Sequence, residues 1–402
     1  MSAESTPLLA RENGTHPRRS FSHRVKALIA AEGEPSWIQS YKHFLFGSYF
    51  NVLLLFVPLS FISDALNFDA ALRFSFSFLA IIPLAKLLGD ATEQMSAKLG
   101  PTLAGLLNAS FGNAVEIIVG IAALFQNQLR IVQTSMLGSI LSNLLLVLGC
   151  SFLAAGFKFK ESNFQVTAAQ ASSSLMTLAC ITLIIPAAYN FTISPSNDTR
   201  FGTLFDAGEE GLLVISRGTA LLLLGVYVAY LCFQLKTHAY LFEGEEQEPE
   251  EPKMSAVSAG VALLGTTVVT SFCADYLVAS IEETADRYSI PKPFIGLILL
   301  PIVSNAAEHV TSVWMAMKGQ MELTIGICVG SSIQIATFVV PLLVIVGWIA
   351  GFNLTLFFAN FETITLFVSV FLVNTLIQQS NYMEGLMLVS LYFVIALAFW
   401  VA

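Results

Sequence analysis

The chain has 402 residues, 55% of them hydrophobic and only 12% charged, with a net charge of -9. A water-soluble domain carries about a quarter charged residues, so this chain lacks the polar surface to face water and needs lipid as its solvent. Nothing in its charge pattern suggests a nucleic-acid partner, its five cysteines form neither a disulfide framework nor a zinc pattern, and no nucleophile stands beside a base as an enzyme would require.

Residues 1–42 are polar and basic, with Arg11, Arg18, Arg19, Arg24 and Lys26. No apolar core follows the first basic group, so a cytosolic tail is expected rather than a cleaved signal peptide. Glu4 to Leu9 resembles an acidic dileucine sorting signal, a pattern that chance often produces. A spanning helix needs roughly twenty mostly apolar residues. That rule predicts about eleven, at 43–63, 70–89, 101–125, 131–156, 166–189, 213–235, 254–280, 292–317, 321–349, 355–377 and 382–402. The expected fold class is therefore an all-α polytopic membrane protein. The second span carries Lys86 and the tenth Glu362. Between the sixth and seventh spans, 236–253 forms a linker rich in acid: Glu243, Glu245, Glu246, Glu248, Glu250 and Glu251. Such a run repels itself into an extended solvated segment; a regulatory strip that concentrates cations is the functional alternative.

Loop charges orient the chain. With the N-terminus cytosolic, cytosolic segments hold twelve Lys and Arg, against six on the other side: Arg73, Arg130, Arg200, Arg217, Arg287 and Lys292. The positive-inside rule favours that orientation, which puts the C-terminus in the lumen. Sequons at Asn190, Asn197 and Asn353 then face the lumen.

Two short segments repeat. Residues 112–116 read Gly-Asn-Ala-Val-Glu and residues 304–308 read Ser-Asn-Ala-Ala-Glu. A Gly-Ser pair follows each glutamate at the same interval, at Gly138–Ser139 and Gly330–Ser331. The shared offset of 192 also pairs Pro101 with Pro293 and Asp90 with Glu282. This register predicts an internal duplication with repeats at 70–235 and 254–402. Each half holds five spans, an odd number, so the second half enters the membrane inverted, leaving one extra N-terminal helix at 43–63. Inverted 5+5 repeats are common in secondary transporters, with the site at mid-membrane between the halves.

Two mid-membrane carboxylates, Glu116 and Glu308, are costly alone, and burial and like charge favour their protonation. A divalent cation reverses that balance. Ca²⁺ takes about six to eight oxygen ligands in irregular geometry. Asn113 and Asn305 precede the glutamates by three and share their helix faces. Ser139 and Asn143 on the next span, and Ser331 and Gln334 on its mate, offer further oxygens. Gly112, Gly138 and Gly330 allow close packing or a helix break. His309 is a candidate proton relay, although one residue of separation turns it from the glutamate face, and packing is an equal reading. Asp90 and Glu282 sit near opposite ends of their spans and are candidate access-path acids. Asp275, Glu362 and Glu384 take helix pairing or snorkelling as the default.

These two motifs, with their downstream Gly-Ser and Gly-Ser-Ser-Ile-Gln, closely resemble the signature repeats of the calcium/proton exchanger (CAX) family, within the cation/Ca²⁺ exchanger superfamily. The likeness covers about residues 40–402, and the fungal vacuolar type is the best match. It implies an antiporter, with no cofactor, that exchanges Ca²⁺ for H⁺ by alternating access and loads an acidic store such as the vacuole. It carries ligand roles onto Glu116, Glu308, Asn113, Asn305, Ser331 and Gln334. It also implies that the first span lies outside a ten-helix core. One departure is Ile335, which stands where the first half has Asn143. The alternatives are a Na⁺/Ca²⁺ exchanger of the same superfamily or, less well, a cation channel. Flexible oxygen sites also admit ions such as Mn²⁺.

Overall fold

The computed structural model describes residues 35–99, 101–160, 166–193, 202–238, 253–376 and 381–401. The tail before residue 35 and all six linker glutamates lie outside the described residues, as do Asn197 and Arg200. The described residues are helical throughout, apart from turns and one extended strap. In chain order the helices are α1 Trp37–Phe46, α2 Phe56–Ala65, α3 Ala70–Ser96, α4 Pro101–Phe111, α5 Ala114–Phe125, α6 Leu129–Gly156 and α7 Val166–Ile193. They continue with α8 Gly202–Cys232, α9 Ala256–Tyr288, α10 Lys292–Ser304, α11 Ala306–Met317, α12 Met321–Ala350, α13 Asn360–Leu376 and α14 Tyr382–Val401.

Among the described residues seven helices are long and apolar enough to cross a membrane, or nine if each bent pair is one span. The other two expected spans fall on shorter helices, and each departure has a local cause. The first span does not start at 43: α1 ends at Gly47, and the chain turns by 88° into the segment Tyr49–Ala65. The third and eighth spans are broken, at Asn113 and Asn305, and the eighth bends by 57° there. The tenth begins at Asn360, not 355. Residues 352–359 form an extended strap whose alternate side chains Leu354, Leu356 and Phe358 are buried. Gln133 donates to the Thr355 carbonyl and Ser216 accepts from the Leu356 amide, so side chains take over part of the strap's backbone bonding.

The offset of 192 extends to backbone detail. α5 and α11 are 192 residues apart at both ends, α6 and α12 start 192 apart, and α3 and α9 end 192 apart. Each long inner helix carries a π-helical turn at the same place, Ser142–Val147 in α6 and Ile335–Val339 in α12. The N-cap residues Gln128 and Gln320 also match in register and conformation. The mates α3 and α9 pack along one another and run antiparallel. Asp69 at the N-cap of α3 meets Arg287 in the last turn of α9, and Arg73 bonds Glu283 at 3.1 Å.

The core sits on α6, where 83% of the apolar window is buried, against 28% for α8 and α14 at the rim. Rim residues such as Leu222 and Val401 stay exposed, as lipid contact requires. Gly138 sits in the tightest crossing: an added Cβ would strike the Leu297 carbonyl and Pro301. Gly330, expected to do the same, faces open space with nothing within 4 Å. The two glycines differ because α10 presses on α6 at Gly138, whereas no element approaches α12 at its mate. Gly138→Ala should therefore cost about 1–3 kcal/mol through overpacking. Gly330→Ala should stay within about 0.5 kcal/mol. Thermal melting of the two variants in detergent compares them directly.

Candidate cation site

Glu116 and Glu308 each occupy the third position of a helix that starts after a break, α5 and α11. Asn113 and Asn305 are the N-caps, and neither uses its side chain to cap the helix. Their amides are thus free for the interior. The breaks also interrupt the backbone hydrogen-bond ladder directly before the two carboxylates. Half-helices meeting at mid-depth supply backbone oxygens in transporters.

Contacts cross between halves in a way residue spacing does not reveal. Asn113 donates through Nδ2 to Gln334 Oε1 at 2.6 Å, on the second half. Asn143, in the π-turn of α6, donates to Glu308 Oε2 at 3.1 Å. Ser331 donates to Glu308 Oε1 at 2.7 Å. Asn305 reaches back to the Ser139 carbonyl at 3.2 Å. Ser304 lies against Glu116 and pairs with the Ser139 hydroxyl at 3.4 Å. Matching the two repeats does not single out Ser304, because its mate, Gly112, has no side chain. Its signal is its place in the motif, directly before Asn305.

Three buried oxygens in this cluster have no hydrogen-bond donor: Asn113 Oδ1, Glu116 Oε1 and Asn143 Oδ1. An unpartnered buried acceptor costs about 1–3 kcal/mol. The orientation is forced, because an ionised carboxylate only accepts, so Asn143 must aim its nitrogen at Glu308 and turn its oxygen away. Asn113 and Asn143 thus spend their amide donors on protein, and their oxygens stay without a donor. Among the described residues no group of three or more His, Cys, Asp and Glu gathers. The donor set is hard oxygen, which suits Ca²⁺ better than a soft or borderline metal.

Both glutamates line one cavity of about 270 Å³. It extends along α3 past Lys86, Asp90 and Glu93. A second cavity of about 220 Å³ shares those three residues and continues to His43, Gln94 and Lys253. The route thus reaches the end of the molecule where α3 stops and α9 starts. Asp90 is on that path. Glu282 is not: it lies at the opposite end with Lys292 and Gln128. His309 is not among the cavity residues.

The unassigned acids have structural partners. Glu362 is 1% exposed, accepts from Arg130, and caps α13 by accepting from the Ala359 amide. Glu384 forms a capping box with Asn381 at the start of α14. Asp275 accepts from Gln126 at 2.5 Å.

Residues 69–236 and 258–401 match the sodium/calcium exchanger protein family. The chain is 48% identical to a vacuolar calcium ion transporter of Schizosaccharomyces pombe, over 89% of this chain and 86% of that one. It is 40% identical to a Ca²⁺/H⁺ antiporter of Aphanothece halophytica, over 87% and 95%. A solved structure of the Ca²⁺/H⁺ antiporter YfkE superposes with a TM-score of 0.73 at 32% identity, covering 88% of this chain and 99% of that one.

A cation held by these oxygens stabilises the folded chain. Ca²⁺ at 100 times its Kd should add about 2.7 kcal/mol. The resulting rise in melting temperature should vanish in Glu116→Gln and in Glu308→Gln, measured in detergent with and without Ca²⁺.

Proposed function

The chain belongs to the sodium/calcium exchanger protein family, and from that premise we propose that it is an antiporter exchanging Ca²⁺ for H⁺ by alternating access, moving cytosolic Ca²⁺ into an acidic store. The observation that carries this reading is the pair of carboxylates in one cavity, Glu116 buried and Glu308 half-buried, beside two amide oxygens that lack donors. The names of the relatives support the choice of ions and the vacuolar membrane as the location.

Charge balance explains the coupling. One Ca²⁺ or two protons leave the glutamate pair neutral, and either neutral state can reorient at low electrostatic cost. With neither bound, two like charges are buried together, so the empty deprotonated carrier is disfavoured. That penalty forbids leak and makes the two ions compete. Asn143 and Ser331 hold the Glu308 carboxylate in place, and Ser304 does so for Glu116. Asn113, Asn143, Asn305, Ser139 and Gln334 supply further oxygens or orient those that do. His309 has no part in this scheme.

The drive is available. A pH gradient supplies about 1.4 kcal/mol per unit per proton, and exchange of one Ca²⁺ for two protons moves no net charge, so membrane potential adds nothing. With the N-terminus cytosolic, the end bearing Lys98 and Lys253 faces the cytosol. The cavity reaches that end, so this conformation is the one that accepts cytosolic Ca²⁺. The halves 70–235 and 254–402 act as the inverted units, with 43–63 outside them.

The test is ⁴⁵Ca²⁺ uptake into acid-interior proteoliposomes without Na⁺. Uptake should collapse with a protonophore and be lost in Glu116→Gln. Uptake that ignores the pH gradient and follows a Na⁺ gradient would instead assign the chain to sodium coupling. A Glu116→Gln variant with wild-type uptake would remove the mechanism.

A further inference from the structure

Alternating access requires one end to close as the other opens, and a closing device of this kind presupposes the antiport reading. At the end away from the cavity, Glu282 joins three elements. Its Oε1 accepts from Lys292 Nζ at 2.9 Å, at the start of α10. Its Oε2 accepts from Gln128 Nε2 at 3.3 Å, at the N-cap of α6. One side chain near the end of α9 therefore ties that helix to the starts of two core helices.

The duplication places a matching set at the cavity end. Asp90 precedes Glu282 by 192 residues, and Gln320 follows Gln128 by 192. Gln128 and Gln320 are both N-caps, with φ, ψ of -88°, 55° and -90°, 64°. Each follows a left-handed residue, Asn127 at φ 56° and Gly319 at φ 82°. The two turns have the same shape. Asp90, however, bonds Lys86 on its own helix and faces the cavity. The position matching Lys292 is Gly100, which has no charge to offer.

We propose that Glu282–Gln128 and Asp90–Gln320 are reciprocal latches, the first made when the cavity opens at the Lys98 end and the second when it opens at the Arg130 end. The repeat supplies the reason: if the halves exchange conformations, Asp90 takes the relation to Gln320 that Glu282 now has to Gln128. The latches are unequal. Glu282 gains an ion pair to another element and Asp90 does not, so the conformation open at the Lys98 end is the resting one. Asp90 and Glu282 are positioning residues, acting through helix contact and not through the transported ion.

The test uses the full chain in vesicles, with its five cysteines changed to serine and a protease site placed within 239–252. Two cysteine pairs are built, Gln128→Cys with Glu282→Cys, and Asp90→Cys with Gln320→Cys. A short bifunctional thiosulfonate is added and the chain is then cut. Both pairs straddle the cut, so cross-linked halves stay together on a gel. Both pairs should cross-link. The Asp90/Gln320 yield should rise by about two- to five-fold when Glu282→Gln is added, the range that removing an exposed ion pair supports. Cross-linking of the Gln128/Glu282 pair alone, or an Asp90/Gln320 yield indifferent to Glu282→Gln, overturns the proposal. Because the yields do not depend on Ca²⁺ flux, absence of Ca²⁺ uptake by the unmodified chain would sink the antiport reading, whereas failure of reciprocal cross-linking with that uptake intact would sink the latches alone.

Discussion

Glu116 and Glu308 face one buried cavity, and like charges repel strongly there. At an effective dielectric of about 20, two charges 4 Å apart differ by about 4 kcal/mol from the separated pair. That repulsion has to be cancelled by a cation or by protons in every populated state. The surrounding architecture serves this need. Broken helices bring both carboxylates to one cavity, amide oxygens without donors stand beside them, and that cavity together with its neighbour leads to one end of the molecule.

The breaks and the π-turns act together. A continuous helix would satisfy its own backbone at Asn113 and Asn305 and leave no carbonyl for an ion. Stopping there costs backbone hydrogen bonds, which is tolerable in a membrane only where the freed groups line a cavity. The π-turns in α6 and α12 change the direction of side chains within otherwise regular helices. Asn143 lies inside one and Gln334 directly before the other. Each of them bonds a residue of the opposite repeat. The cluster therefore forms only when both parts of the chain are assembled.

Charge is distributed unequally between the two ends. Away from the cavity, Arg73, Arg130, Arg287 and Lys292 all pair with acids on other elements. Exposed pairs of this kind contribute little individually. Glu362 differs, being buried and accepting from both Arg130 and a backbone amide, so removing Arg130 would strand part of a buried charge. At the cavity end Lys86 and Asp90 pair within one helix and hold nothing across the molecule.

Much of this is legible in the chain itself. Hydrophobic length marks the helical regions, because a segment in lipid must satisfy its own backbone. The offset of 192 marks the repeat, and two costly mid-span glutamates mark the site. The offset holds even for features that composition does not signal, the N-caps at Gln128 and Gln320 and the paired π-turns. Spacing along one chain does not encode which oxygen meets which carboxylate across the two halves. It places Asn143 with its own repeat, whereas the fold gives Asn143 to Glu308. It treats Gly138 and Gly330 alike, whereas only Gly138 is pressed by a neighbour. Of its candidate break positions only Gly112 adjoins a break, at Asn113; it gives no sign of the break at Asn305, since hydropathy averages over a turn that remains apolar, and it reads the strap at 352–359 partly as helix for the same reason. Local periodicity and cost determined the elements and the charged pair. The partners, the tight crossing and the open end depended on how two copies of one pattern pack against each other in opposite directions, and only the tertiary structure decided that.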